Sequence, residues 1–181
     1  MYQQIKKILT TPRTVVPRAE FNSGDPIEDL GKQLHGKIFS SLKGSLVIRE
    51  VAAGSSNAEE LELTALGNAY YDVERFGVKF TASPRHADAL FVTGPVSRNM
   101  AEALRRTYAA TPDPKIVVAI GDGAIDGGIF KDSYAIAGGV KDIIPVDFEI
   151  PGDPPSPKAV IEALVKIVEK LAERDARSSK I

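Results

Sequence analysis

Ala89-Leu90-Phe91-Val92, closed by Gly94-Pro95, is followed by Ser97 and then by Met100, Leu104 and Tyr108; Thr111-Pro112-Asp113-Pro114 turns the chain into Ile116-Val117-Val118-Ala119-Ile120. Short apolar runs without polar alternation, each ended by glycine, have the pattern of strands buried on both faces. Between them the apolar residues recur every four positions, the spacing of an amphipathic helix, and Ser97 stands where an N-cap is needed. Strand, helix, strand in this order is a parallel crossover unit, and the rest of the chain is read around it.

Upstream, Leu46-Val47-Ile48-Arg49-Glu50-Val51 reads as a strand ending at Gly54, and Asn57 to Leu66 as a helix with Ser55 or Ser56 as its cap. Val78-Lys79-Phe80 is a further short element. Downstream, Ile143-Ile144-Pro145-Val146 is a fifth strand candidate, whose Pro145 requires an edge or irregular position. Ser156-Pro157 opens a helix in which Val160, Ile161, Leu164, Ile167, Val168 and Leu171 form one apolar stripe. Strands alternating with helices predict an α/β fold, flavodoxin-like and doubly wound, with a mostly parallel sheet and helices on both faces. Residues 45–173 hold this domain. Residues 1–44 are read as an N-terminal arm, either a frayed end or a docking arm, in which Ile5, Ile8 and Leu9 share a face; residues 174–181 form a charged tail.

The composition narrows the chemistry. Twenty-three basic residues are balanced by 24 acidic ones, which gives no pull toward nucleic acid. No apolar run is long enough to span a bilayer, and the polar start lacks the apolar core of a signal peptide, so a cytoplasmic location is expected. There is no cysteine, which excludes disulfides, thiol catalysis, zinc–thiolate sites and cysteine-held iron–sulfur clusters. Two histidines, His35 and His86, are too few for a histidine-rich metal site.

In a doubly wound sheet, sites form at the carboxyl ends of the strands, here Gly54–Glu60, Gly94–Ser97, Gly121–Gly128 and Pro151–Pro155. The glycine-rich Gly121–Gly128 loop follows a strand, but Asp126 stands where the dinucleotide fingerprint needs its third glycine, and a tight structural turn is expected instead. Glu59, Glu60, Glu62, Asp122, Asp126 and Asp153 are hard oxygen donors suited to Mg²⁺ or Ca²⁺, or are simply solvated or interface charges; they lack a known ligand spacing. Arg85-His86-Ala87-Asp88 sets a histidine beside a carboxylate without a nucleophile motif, so structural bonding or subunit contact is the reading there. No catalytic residue is assigned.

Five segments carry a resemblance. Gly54-Ser55-Ser56-Asn57-Ala58-Glu59-Glu60-Leu61-Glu62-Leu63, Ala82 to Asp88, Val92 to Met100, Gly121 to Phe130 and Ile150 to Pro157 resemble the 20 kDa subunit of NADH:quinone oxidoreductase (complex I). The first is more similar to the small subunit of group 4 membrane-bound nickel–iron hydrogenases, including the formate hydrogenlyase type. In that family these loops supply four cysteines to a 4Fe–4S cluster, and by position the cysteines fall at Ser56, Glu59, Gly123 and Asp153. Every one is replaced. The resemblance also implies a surface for the large, nickel- or quinone-site subunit, at Arg85, His86, Gly94, Pro95, Gly127, Gly128 and Phe130, and contacts of the arm with membrane subunits.

With its cluster ligands replaced, the resemblance implies a non-redox structural or coupling subunit without cofactor, peripheral on the inner face of the cell membrane. Its setting would be a complex I-like, hydrogenase-related assembly that translocates ions. Two other readings stand beside it. One is a scaffold within an active oxidoreductase whose electrons bypass this chain; the other is a freestanding divalent-metal or nucleotide-binding domain. Glu59 and Asp153 are expected to be solvated, or bonded to Arg85 or to backbone amides, because unpaired burial of charge is costly.

Overall fold

The structure, a computed structural model, describes Lys6, residues 25–42 and residues 44–178, with side chains up to residue 170. The readings made on Ile5, Ile8, Leu9 and the side chain of Leu171 lie outside the described residues.

The helices are α1 (Pro26–Leu42), α2 (Ala58–Ala65), α3 (Arg98–Ala110), α4 (Asp122–Asp126) and α5 (Pro157–Ser178). The strands are β1 (Leu46–Ala52), β2 (Val78–Phe80), β3 (Ala89–Thr93), β4 (Val96–Ser97), β5 (Ile116–Ile120), β6 (Ile136–Gly138) and β7 (Phe148–Ile150). Five of them form one parallel sheet in the order β2-β1-β3-β5-β7, while β4 and β6 pair separately and antiparallel. Leaving that small pair aside, the order is that of the flavodoxin-like doubly wound fold, with the switch of direction between β1 and β3. The expected fold class is the observed one.

Alternate residues feed two cores. Leu46, Ile48, Ala89, Phe91, Ile116, Val118, Ile120 and Ile150 pack with α1, α2 and α5 on one face. Val51, Leu90, Val92, Val117 and Ala119 pack with Ala101 and Leu104 of α3 on the other, beside Ala124, Val140 and Ile144. β3 and β5 are buried along their whole length, which is why their sequences show no alternation.

Four local expectations change. First, α1 is a full helix packed along α5, with Ile27, Leu34 and Ile38 in the core. Its buried stripe runs Ile27, Gly31, Leu34, Ile38, and the glycine conceals the period; a Cβ at Gly31 would lie 2.1 Å from the Phe76 ring, so only glycine fits. Second, the cap of α2 is neither serine: Asn57 occupies the N-cap in the left-handed region, at φ 75°. Third, the strand expected at residues 143–146 is absent, and β7 starts at Phe148. Asp147 makes the join, its amide donating to the Val117 carbonyl and its Oδ2 accepting from the Val117 amide at 3.0 Å. Fourth, the glycine-rich segment after β5 is not a bare turn but carries the short helix α4. Ser97 caps α3 as expected, accepting from the Met100 amide at 3.3 Å.

Candidate functional site

The chain leaves β1 and β3 side by side at the switch point, and the two loops touch backbone to backbone. A Cβ on Gly94, which has φ +68°, would lie 2.3 Å from Ser55 Cα, and one on Gly54 would lie 2.6 Å from the Pro95 carbonyl oxygen. The Ser97 amide donates to the Ala53 carbonyl at 2.8 Å, fixing this crossing. The loops after β5 and β7 are laced in the same way. The Gly121 amide donates to Ile150, the Asp122 amide donates to Gly152, and the Gly152 amide returns a bond to Asp122 Oδ1, each at 2.9 Å. The four loops therefore meet at one end of the sheet, as the sequence led us to expect.

The side chains at this end do not share one environment. Ser56 and Asp153 are exposed and Gly123 is half-buried, but Glu59 is only 4% exposed. Its carboxylate rests on Gly121 beside the Gly152 carbonyl, and its Oε2 has no hydrogen-bond partner. Of the expected alternatives for Glu59 (solvated, or bonded to Arg85 or to backbone amides) the structure has the last, a backbone hydrogen bond, while α2 begins at Ala58 and turns residue 59 inward toward the loops instead of outward to water. Burial raises its pKa above the usual carboxylate value; a backbone hydrogen bond opposes the rise, and the charges of Glu60 and Asp153 add to it. Asp153 is exposed, as expected.

Glu60 points the other way, to the end of β3. Its Oε1 accepts from the hydroxyls of Ser55 and fully buried Thr93, while its Oε2 is buried without a partner. Next to it, the Glu50 carboxyl is raised by burial first and by the Glu60 charge second, against the pull of Arg49. Arg49 and Glu50 line an open cavity of about 350 Å³ with Leu63, Phe80 and Ala82, and Arg49 Nε has no partner there. The roles of Ser55 and Thr93 as donors escaped the sequence reading; a threonine ending an otherwise apolar strand was the available signal.

Asp122, Asp126 and Asp153 line a second cavity of about 300 Å³ with Ile125, Gly128 and Ile129. Among the described residues, no three of His, Asp or Glu come together as ligands for a metal ion. Of the residues assigned by resemblance to a partner surface, Arg85 and His86, in the 3-10 turn Pro84–His86, are exposed, and so is Phe130. Gly128 is half-buried, whereas Gly94, Pro95 and Gly127 are buried in the loops themselves. Asp88 is structural, its Oδ2 accepting from the Val47 amide at 2.9 Å.

A cubane cluster does not fit the residues present. The chain has no thiolate to offer, and the half-buried Gly123 position is closed by Pro95, whose Cδ would be 2.8 Å from any Cβ placed there.

The sheet order defines a doubly wound α/β protein, and the four-loop crossing at its switch point is the candidate site. The model of the family described as NADH ubiquinone oxidoreductase, 20 Kd subunit, matches residues 57–167, and the chain belongs to that family. It is 46% identical over 123 residues to the probable membrane-bound hydrogenase subunit mbhJ of Pyrococcus furiosus, covering 68% of this chain and 74% of that one. It is 42% identical over 119 residues to a subunit of the NADH-quinone oxidoreductase of Desulfovibrio desulfuricans, covering 66% and 64% respectively. An uncharacterized protein of Methanocaldococcus jannaschii is 44% identical over 136 residues, 75% of this chain and 91% of that one. Among solved structures, a chain of the membrane-bound sulfane sulfur reductase, an archaeal respiratory membrane complex, superposes with a TM-score of 0.66 at 36% identity, covering 76% of each. Among the described residues, no helix is long and apolar enough to cross a membrane.

Proposed function

We propose that this chain is a non-redox structural subunit of a membrane-bound assembly related to hydrogenases and complex I, in which it has lost its cluster. The observation that carries this reading is the site end itself. The four loops are held in place by their own amides, yet the positions the resemblance assigns to cluster ligands are Ser56, Glu59, Gly123 and Asp153. Kinship to a hydrogenase subunit, to a quinone oxidoreductase subunit and to a chain of a respiratory membrane complex supports the membership in such an assembly.

In this role the chain holds the large subunit at the face around Arg85, His86 and Phe130. It joins that subunit to the membrane arm through its N-terminal arm, and lies peripherally on the membrane. Conformational coupling to ion movement is one use of such a link. The test is purification of the complex from its native source through a tag on this chain. Partner subunits homologous to a hydrogenase large subunit should copurify, with no iron or paramagnetic signal assignable to this chain. A stoichiometric cluster signal belonging to it would refute the non-redox role.

A further inference from the structure

β1 outruns the strand beside it. Its pairing with β2 stops at Ile48 and Phe80, whereas its pairing with β3 continues to Ala52 and Thr93. Among the described residues, 49–52 of β1 therefore have a neighbouring strand on one side alone. The backbone bonds show which groups are left open. On the β2 side the Ile48 carbonyl accepts from the Thr81 amide at 2.8 Å. On the β3 side the Val47 carbonyl accepts from the Asp88 amide at 2.8 Å, and the Ala53 amide donates to the Thr93 carbonyl at 3.1 Å. Alternate residues of a strand turn their amide and carbonyl to the same side, so those of Glu50 and Ala52 face the vacant side with Ile48. The cavity of about 350 Å³ lies along this stretch, lined by Arg49, Glu50, Phe80 and Thr81. About 10 Å of strand edge is on offer there, and such an edge is a template for another extended backbone.

The side chains indicate what that backbone carries. Ile48 packs in the core with α2 and Val51 in the core with α3, so alternation turns Glu50 to the α2 side and Arg49 to the α3 side. Among the described residues neither forms an ion pair, and Arg49 Nε is buried without a partner. Burial and then the Glu60 charge raise the Glu50 carboxyl against the pull of Arg49, which favours a further cation beside it. Laterally paired residues of neighbouring strands share a face, and opposite charges there attract. A lone ion would answer one of these charges and leave the amides and carbonyls open; an extended polypeptide answers both. The stretch that follows the cavity is the turn Pro84–His86, whose exposed Arg85 and His86 belong to the face proposed for the large subunit.

We propose that the open edge of β1 at residues 49–52 takes up an extended segment of the large partner subunit as a sixth strand of the sheet, with a lysine or arginine opposite Glu50 and an aspartate or glutamate opposite Arg49. The inference rests on the reading of the chain as a subunit of a membrane assembly, and it adds the mode of the contact: main-chain pairing for affinity and two opposite charges for register.

The test uses the full-length tagged chain, purified from its native host with its partners. Amide hydrogen exchange is followed residue by residue within the complex. The amides of Glu50 and Ala52 should exchange as slowly, within about tenfold, as those of Val51 and Ala53, which face β3. Glu50 and Ala52 amides that exchange freely while Val51 and Ala53 are protected overturn the proposal. The second arm is the paired variant Arg49→Glu, Glu50→Lys, which keeps the net charge and the backbone and reverses the register charges. It should retain the large subunit at least tenfold more weakly across a salt series. If that chain fails to fold, Glu50→Pro replaces it, because its missing amide is one that faces away from β3. Retention equal to wild type overturns the proposal, since the edge is then covered by the chain itself or by nothing. A wild-type chain that copurifies with no large subunit overturns the subunit reading, an outcome distinct from the other two.

Discussion

The Glu59 carboxylate lies against Gly121 so closely that Oε1 is 2.8 Å from the point where a Cβ on that glycine would stand. Gly121 also has φ +87°, a conformation that side chains rarely adopt. Gly121→Ala should therefore destabilise the chain by about 2 kcal/mol, from backbone strain and the displaced carboxylate together. Chemical denaturation measures it, and an unchanged midpoint would show that the contact is not tight.

The same burial sets a pH dependence. The pKa values of Glu59 and Glu50 are raised in the folded chain, so the folded state keeps protons that the unfolded state gives up above about pH 4.3. Their contribution to stability is complete below that value, is lost as the pH climbs through the raised folded values, and stays lost above them. Glu59→Gln should remove its part of this slope and raise stability at pH 8 by about 1 kcal/mol or more, with little change at pH 4. Melting curves of both proteins across that range decide it; parallel profiles would contradict the burial argument.

Two glycines of one helix should respond in opposite directions. Gly31 faces the Phe76 ring with no room for a methyl group, whereas a Cβ at Gly36 meets nothing within 4 Å. Gly36→Ala should stabilise by about 0.5–1 kcal/mol through helix propensity, while Gly31→Ala should lose about 1–3 kcal/mol to overpacking, only partly offset by the same propensity. Equal effects of the two substitutions in urea denaturation would mean that α1 does not pack on Phe76.

Placing cysteine at the positions that the resemblance assigns to cluster ligands should be uneven in cost. Ser56→Cys, at an exposed position, should change stability by less than about 0.5 kcal/mol. Gly123→Cys must push Pro95 aside and should cost about 1–3 kcal/mol. Differential scanning calorimetry of each single variant is the check. A Gly123→Cys chain as stable as wild type would show that the loop has space for a cysteine side chain.

The sequence makes the centre of the sheet plain, because β3 and β5 are buried on both faces and can only be apolar throughout. It makes the meeting of four loops plain for the same reason, since parallel strands deliver their ends to one edge. α1 was hidden by Gly31, which looks like a helix breaker until the Phe76 ring above it is seen. The last strand lies further along, at Phe148–Ile150, because Ile144 is buried outside the sheet and Asp147, a polar residue, makes the join to β5. Neighbouring glutamates gave no hint that Glu59 and Glu60 would turn to different sides. That depends on where α2 starts, and the left-handed Asn57 decides it.

The amide bonds between the Asp122 and Gly152 loops, and between Ala53 and Ser97, fasten the site end of this fold with the polypeptide's own backbone. On the proposed cluster-free reading, such an end requires no delivery of inorganic sulfide to mature, and neither dioxygen nor iron starvation would have anything there to dismantle.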